Sequence, residues 1–185
     1  YFAYFGPDRY SGRDWFVGAS PDGFSMAQRF EADGAEYLHL GIEWRASDAA
    51  IAWAQEVLVA NPALPTIVTT HQHLQSNSNT AAYTVGGATP DSDGDNDGDA
   101  VFHKLVDPFP QVFLTLCGHL TSYGRRESQT ALGQTVHEVL ANYQSDPSGG
   151  NGWMQLLRFR SEDSELEFDT FSPTYVPGVS PGPNR

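Results

Sequence analysis

Apolar residues recur along this chain in distinct rhythms, and each rhythm predicts an element. Between Ser25 and Trp44, "SMAQRFEADGAEYLHLGIEW", apolar and polar positions largely alternate, and the alternation breaks at Asp33-Gly34. Asp-Gly accommodates the two positive φ values of a type I′ turn, so the stretch predicts two strands joined by a tight hairpin. From Ser47 to Ala60 the period becomes helical, with Ile51, Ala54, Val57 and Leu58 on one face. Ser47 suits the N-cap and Asp48 the positive end of the dipole. Asn61-Pro62 stops the helix. Two runs, "PTIVTT" (65–70) and "QVFLTLC" (111–117), are apolar or β-branched at nearly every position. That is the pattern of parallel strands covered on both faces.

The remaining segments are read more coarsely. Residues 1–24 are rich in aromatics, Gly and Pro without a period, which predicts irregular chain across a core edge. Residues 75–100 are polar and Gly-rich and predict a long loop, with a short helix near 99–106. Residues 123–171 predict antiparallel strands that finish in a hairpin, "WMQLLRFR" and "ELEFDTFS", turned at "SEDS". The tail "SPTYVPGVSPGPNR" is Pro-, Gly- and Ser-rich, so 174–185 reads as a linker. The expectation is one α/β domain over 1–173, with a mixed sheet, a β-sandwich-like core and flanking helices.

Charge and cysteine usage narrow the function classes. A formal net charge of −13 argues against nucleic acid or an anionic membrane as partner, because both require basic patches. Lys104 is the single lysine among ten basic residues; with the acidic excess, this predicts a secreted, extracellular or periplasmic protein. Cys117 stands alone, which leaves no intramolecular disulfide and no cysteine-based zinc ribbon. No apolar run reaches the roughly 18–20 residues of a membrane span. The chain begins at Tyr1 rather than Met and shows no signal peptide, which reads as a processing, cloning or fragment boundary of a longer chain.

The chemistry gathers where the two apolar strands end. "TIVTTHQHL" (66–74) stops on His71 and His73; "VFLTLCGHLTSYGRR" (112–126) runs through Gly118 into His119. In open α/β sheets ligands collect beyond the carboxyl ends of strands. Neutral imidazole is a common ligand for Zn, Fe or Mn, so the three histidines are candidate ligands of one ion. His71 and His73 share a face only if the chain stays extended through them. Arg125 and Arg126 offer guanidinium forks for a phosphate, or else are solvated strand charge. His39, His103 and His137 are single histidines in or beside regular segments and read as structural.

The order of strand-"TTHQH", long loop, short helix, strand-"CGHLT" and antiparallel strands ending in "DTFSP" resembles the calcineurin-like metallophosphoesterase superfamily. The resemblance spans about residues 1–173. It implies hydrolysis of phosphomonoesters or phosphodiesters at divalent transition metals (Zn, Mn or Fe). In such a two-metal centre, cations neutralise the transferring oxygens and clamp the attacking and leaving ones. By position, His71 matches the family histidine after the penultimate parallel strand, and His119 the first histidine of its Gly-His-x-His block. Thr121 stands where the block's second histidine is expected. The family's Asp-x-His, Gly-Asp-x-x-Asp and Gly-Asn-His motifs do not occur. The chain therefore resembles the carboxyl-terminal half of such a domain. His71 and His119 are its implied catalytic residues, and Arg125, by its own chemistry, is a third candidate that would pair with the phosphate. His73 would serve as a substitute third ligand in a mononuclear site.

A second constellation is "DSDGDNDGDA" (91–100). Asp93, Asp95 and Asp97 before Gly98 reproduce the opening of a calcium loop, and the twelfth position holds Lys104 instead of the bidentate acid. Five aspartates within nine residues repel one another unless a hard cation orders them, or they form a solvated acidic loop. Two function classes follow: a phosphoesterase with part of its site, and a non-catalytic module of a secreted protein stabilised by metal or Ca²⁺.

Overall fold

The computed structural model describes residues 1–76, 83–85 and 96–173. It is a mixed α/β fold built on one seven-stranded sheet with few helices. Its strands are β1 (Phe16–Ala19), β2 (Met26–Ala32), β3 (Ala35–Ile42), β4 (Thr66–Thr70), β7 (Val112–Cys117), β8 (Tyr123–Gln129) and β9 (Thr135–Ala141), in the spatial order β1-β2-β3-β4-β7-β9-β8. Two antiparallel ribbons stand apart: β5 (Leu74–Ser76) with β6 (Tyr83–Val85), and β10 (Met154–Arg160) with β11 (Glu165–Phe171).

The four central strands β3, β4, β7 and β9 are mutually parallel, so their carboxyl ends share one edge. Hairpins extend the sheet at both sides. β2 pairs with β3 through a two-residue turn in which Asp33 and Gly34 both have positive φ, 49° and 75°. This is the turn that the Asp-Gly pair predicts. β8 pairs antiparallel with β9.

Each face of the sheet is covered by a different layer. On one lies α2 (Asp48–Ala60), which buries Ala50, Ile51, Ala54, Val57 and Leu58. Ser47 Oγ accepts from the Ala50 amide at 3.1 Å and caps its start. Asn61 ends it: its side chain donates to Val57 O at 2.8 Å and accepts from Arg29 at 2.8 Å. Beside it, α3 (Gly98–Val101) runs into a π-helical turn, Phe102–Val106, that buries Leu105 and Val106 against the same core. The other face packs Ile67, Leu114 and Val139 under Phe159, Leu157, Leu166 and Phe168 of the β10–β11 ribbon. Ser161, at the ribbon's turn, donates from its amide to Asp33 Oδ2 at 2.7 Å, tying the two hairpin tips together.

Three segments differ from the sequence expectation. Residues 1–24 are not wholly irregular: Phe2–Phe5 form one helical turn, and β1 adds an edge strand through a register shift between Phe16 and Gly18. The loop expected over 75–100 carries the β5–β6 pair. β8 and β9 are antiparallel to each other, yet β9 enters the main sheet parallel to β7. Among the described residues no helix is long and apolar enough to cross a membrane.

Candidate metal centre at the carboxyl edge of the sheet

Each of the four parallel strands delivers a side chain just past its carboxyl end: Trp44 after β3, His71 after β4, His119 after β7 and Asn142 after β9. His71 Nε2 lies 2.9 Å from His119 Nδ1. Trp44 closes over the pair, its ring stacked on His119 with centroids 5.4 Å apart and set edgewise to His71 at 5.5 Å. Trp44 Nε1 donates to Gln72 Oε1 at 3.2 Å, which links it to the same turn that carries His71. A cleft of about 520 Å³ opens beside His71, lined also by Tyr1, Phe24 and His39.

The backbone presents His119 under strain. Its φ is +62°, and the Leu120 amide donates to Gly118 O at 2.9 Å around it. A positive φ inside an i→i+2 bond is the rarer and more strained form of γ-turn. Such outliers persist where surrounding contacts hold them. Here Asn142 Nδ2 donates to His119 O at 2.7 Å, and the Gly118 amide donates to His71 O at 3.0 Å. The two histidine loops are thus stitched to each other and to β9.

Two imidazole nitrogens at an edge fit one side of a metal site. Tetrahedral Zn–N bonds of about 2.0–2.1 Å hold neighbouring nitrogens about 3.3–3.4 Å apart. To share an ion the rings would have to part by a few tenths of an ångström, give up the hydrogen between them and turn both lone pairs toward the ion. Among the described residues, no three His, Cys, Asp or Glu side chains are grouped to hold a metal. The pair alone offers two of the four ligands that a tetrahedral ion takes.

His73 does not join this pair as a third ligand. The chain bends after Thr70 instead of staying extended, so the two histidines separate. His73 is wholly buried and its Nε2 lies 2.8 Å from Glu138 Oε2. Glu138 Oε1 accepts from Ser128 Oγ and sits 3.6 Å from Arg126 Nε. Arg125 is also placed away from the pair. In the β8–β9 register it stands beside Val139, on the face covered by the β10–β11 ribbon. It lines a separate cavity of about 820 Å³ with Tyr37, Phe113, Phe159 and His137. Strand alternation puts Arg126, not Arg125, on the face of Glu138. Thr121 is exposed and its Oγ1 accepts from Ser145 Oγ at 3.2 Å.

In the acidic stretch, Asp93 and Asp95 lie outside the described residues. Asp97 caps α3, accepting from the Ala100 amide at 2.8 Å. Lys104, which displaces the expected twelfth-position acid, binds Asp48 at 2.9 Å and Asn96 Oδ1 at 2.6 Å. These contacts hold Asp48's carboxyl below its ordinary range, chiefly through the Lys104 hydrogen bond.

No protein-family model matches the chain. A curated relative, the uncharacterised protein YvnB of Bacillus subtilis (strain 168), is 27% identical over 176 residues. The match covers 92% of this chain and 13% of YvnB, so the chain spans about an eighth of that relative's length.

His39 bridges Gln28 and Thr69, with its Nδ1 and Nε2 at 2.9 and 2.8 Å from them. Burial pushes its pKa below the ordinary value. The unfolded chain therefore takes up a proton near pH 6.5 while the folded chain resists, so stability rises with pH through that interval and falls as pH drops below it. Denaturant titrations between pH 7.5 and 5 should show this loss, and His39→Gln should flatten that limb. An unchanged slope in the variant would assign the acid sensitivity elsewhere.

Proposed function

We propose that this domain supplies the histidine side of a divalent-metal centre for phosphoester hydrolysis. The observation that carries the reading is the meeting of His71 and His119 nitrogens at 2.9 Å, across the carboxyl edge of two adjacent parallel strands. The order of elements supports it, since histidines follow the two strands where the calcineurin-like metallophosphoesterase pattern places them. A divalent ion bound there supplies Lewis-acid stabilisation of the charge on a phosphoryl group.

The chain's own residues do the rest. His71 and His119 would hold the ion; the Trp44 ring fixes both imidazoles and limits water on one side. Asn142 and Gly118 keep the two loops in register. Zn²⁺, Mn²⁺ and Fe²⁺ all suit a site begun by two imidazoles. The substrate class is a phosphomonoester or phosphodiester, in an extracellular or periplasmic setting.

A non-catalytic reading is favoured by one observation: no carboxylate of the described residues joins the imidazole pair. Carboxylates ordinarily bridge two ions about 3.5–4 Å apart, so this chain by itself should hold at most one. Dialysed protein should therefore hydrolyse an aryl phosphate slowly with added Mn²⁺ or Zn²⁺. That turnover should vanish on chelation and in His71→Ala. No turnover with either metal, despite tight metal uptake, would favour the module reading.

A further inference from the structure

We infer that Glu138 is a positioning residue for the histidine pair. It acts through His73, and the inference rests on the metal-centre reading above. Glu138 is a carboxylate with no exposed surface in the middle of β9, flanked on its face by buried Val136 and Leu140. A carboxylate in such a place is costly unless every lone pair is used. Its partners come from three elements. Ser128 Oγ and Arg126 Nε approach Oε1 from β8, and His73 Nε2 meets Oε2 at 2.8 Å from the turn after β4. The carboxylate accepts the hydrogen on Nε2, and His73 Nδ1 finds no partner among the described residues. The imidazole is therefore hydrogen-bonded from one end alone, by Glu138, with Phe102 beside its ring.

That single bond matters because of where His73 sits. The turn 71–74 leaves β4 and must be held by contacts across the sheet. Besides the Trp44–Gln72 and His71–His119 contacts, hydrogen bonds to β7 and β9 do this. The His71 carbonyl accepts from the Gly118 amide at 3.0 Å, the Leu74 amide donates to Cys117 Sγ at 3.4 Å, and His73 binds Glu138. The first two attach the turn to the end of β7. Glu138 attaches it to β9, one strand further on, the strand whose successor Asn142 holds the His119 carbonyl. His71 and His119 are thus both referenced to β9, one through Glu138 and one through Asn142. Loss of either tie should let the two rings drift apart while leaving the sheet intact.

The test compares His73→Leu with His73→Gln, whose amide can still donate to Glu138, and adds Ser128→Ala, which weakens the hold on Glu138 without removing its charge. Two readouts are taken on folded protein: side-chain ¹⁵N resonances of His71 and His119, which report their mutual hydrogen bond, and Mn²⁺ affinity by calorimetry. In His73→Leu the paired ring resonances should be lost, and Mn²⁺ should bind about 10-fold more weakly, at the low end of the effect of outer-shell partners. His73→Gln should restore both, and Ser128→Ala should shift both in the same direction by less. Unchanged ring resonances in folded His73→Leu would overturn the inference. If His73→Leu does not fold, unchanged ring resonances in Ser128→Ala would do the same. If the unaltered protein takes up no Mn²⁺, the metal-centre reading fails, and the ring resonances still decide whether Glu138 positions the pair.

Discussion

Replacing His71 or His119 with alanine is expected to weaken divalent-metal binding by more than about 100-fold. Loss of an outer-shell partner already costs about 10–100-fold, and these two nitrogens are the ones that meet at 2.9 Å. Stability should change little, because His71 is exposed and His119 only half-buried. His119→Ala keeps a Cβ at φ +62°, so the backbone strain, held by Asn142 and the Gly118 carbonyl, stays and the ring's contacts are what is lost. Calorimetric titration of both variants with Mn²⁺ and Zn²⁺ checks the affinity, and thermal melts check the fold. Metal affinity that survives in both variants would move the site elsewhere.

The largest effect on stability should come from Glu138→Leu. Leaving a buried hydrogen-bonding group without its partner typically costs about 1–3 kcal/mol, and Glu138→Leu strands more than one. Here the residues left behind are His73, with no exposed surface, Ser128, nearly buried, and the partly exposed Arg126. The double replacement His73→Leu with Glu138→Leu should recover the share of that loss due to His73, since replacing both partners by apolar groups leaves no unpaired polar atom between them. Denaturant unfolding of the two singles and the double forms a complete cycle. If the double variant is as unstable as the sum of the singles, the two residues are not coupled and the argument from burial is wrong.

How much of this was legible in the sequence varies by element, for physical reasons. The β2–β3 hairpin and α2 announce themselves locally, through Asp33-Gly34 and through Ser47, Asn61 and the spacing of Ile51, Ala54, Val57 and Leu58. β1 does not, because its four half-buried residues gain their conformation from pairing with β2. Nor does the parallel pairing of β9 with β7, which no local period encodes. His71 and His119 could be picked out because a histidine directly after a buried strand is carried to the strand's carboxyl edge. His73 could not be placed, since its face depends on whether the chain bends after Thr70. Arg125 was set by a register that only the β8–β9 pairing defines. Glu138 did leave a signal that went unread: in "QTVHEVL" it shares a strand face with Val136 and Leu140, and a carboxylate on an apolar face must have a partner. Trp44 and Asn142 left none, because nothing local marks the residue after a strand as a neighbour of histidines on other strands.

The central claim is that His71 and His119 share one ion. X-ray absorption at the zinc edge, on protein loaded with one equivalent of Zn²⁺, tests it most directly. Two imidazole nitrogens at about 2.0–2.1 Å are predicted, falling to one in His119→Ala with the other ligands unchanged. A spectrum without imidazole scattering, or one identical in the unaltered protein and the variant, would contradict the claim.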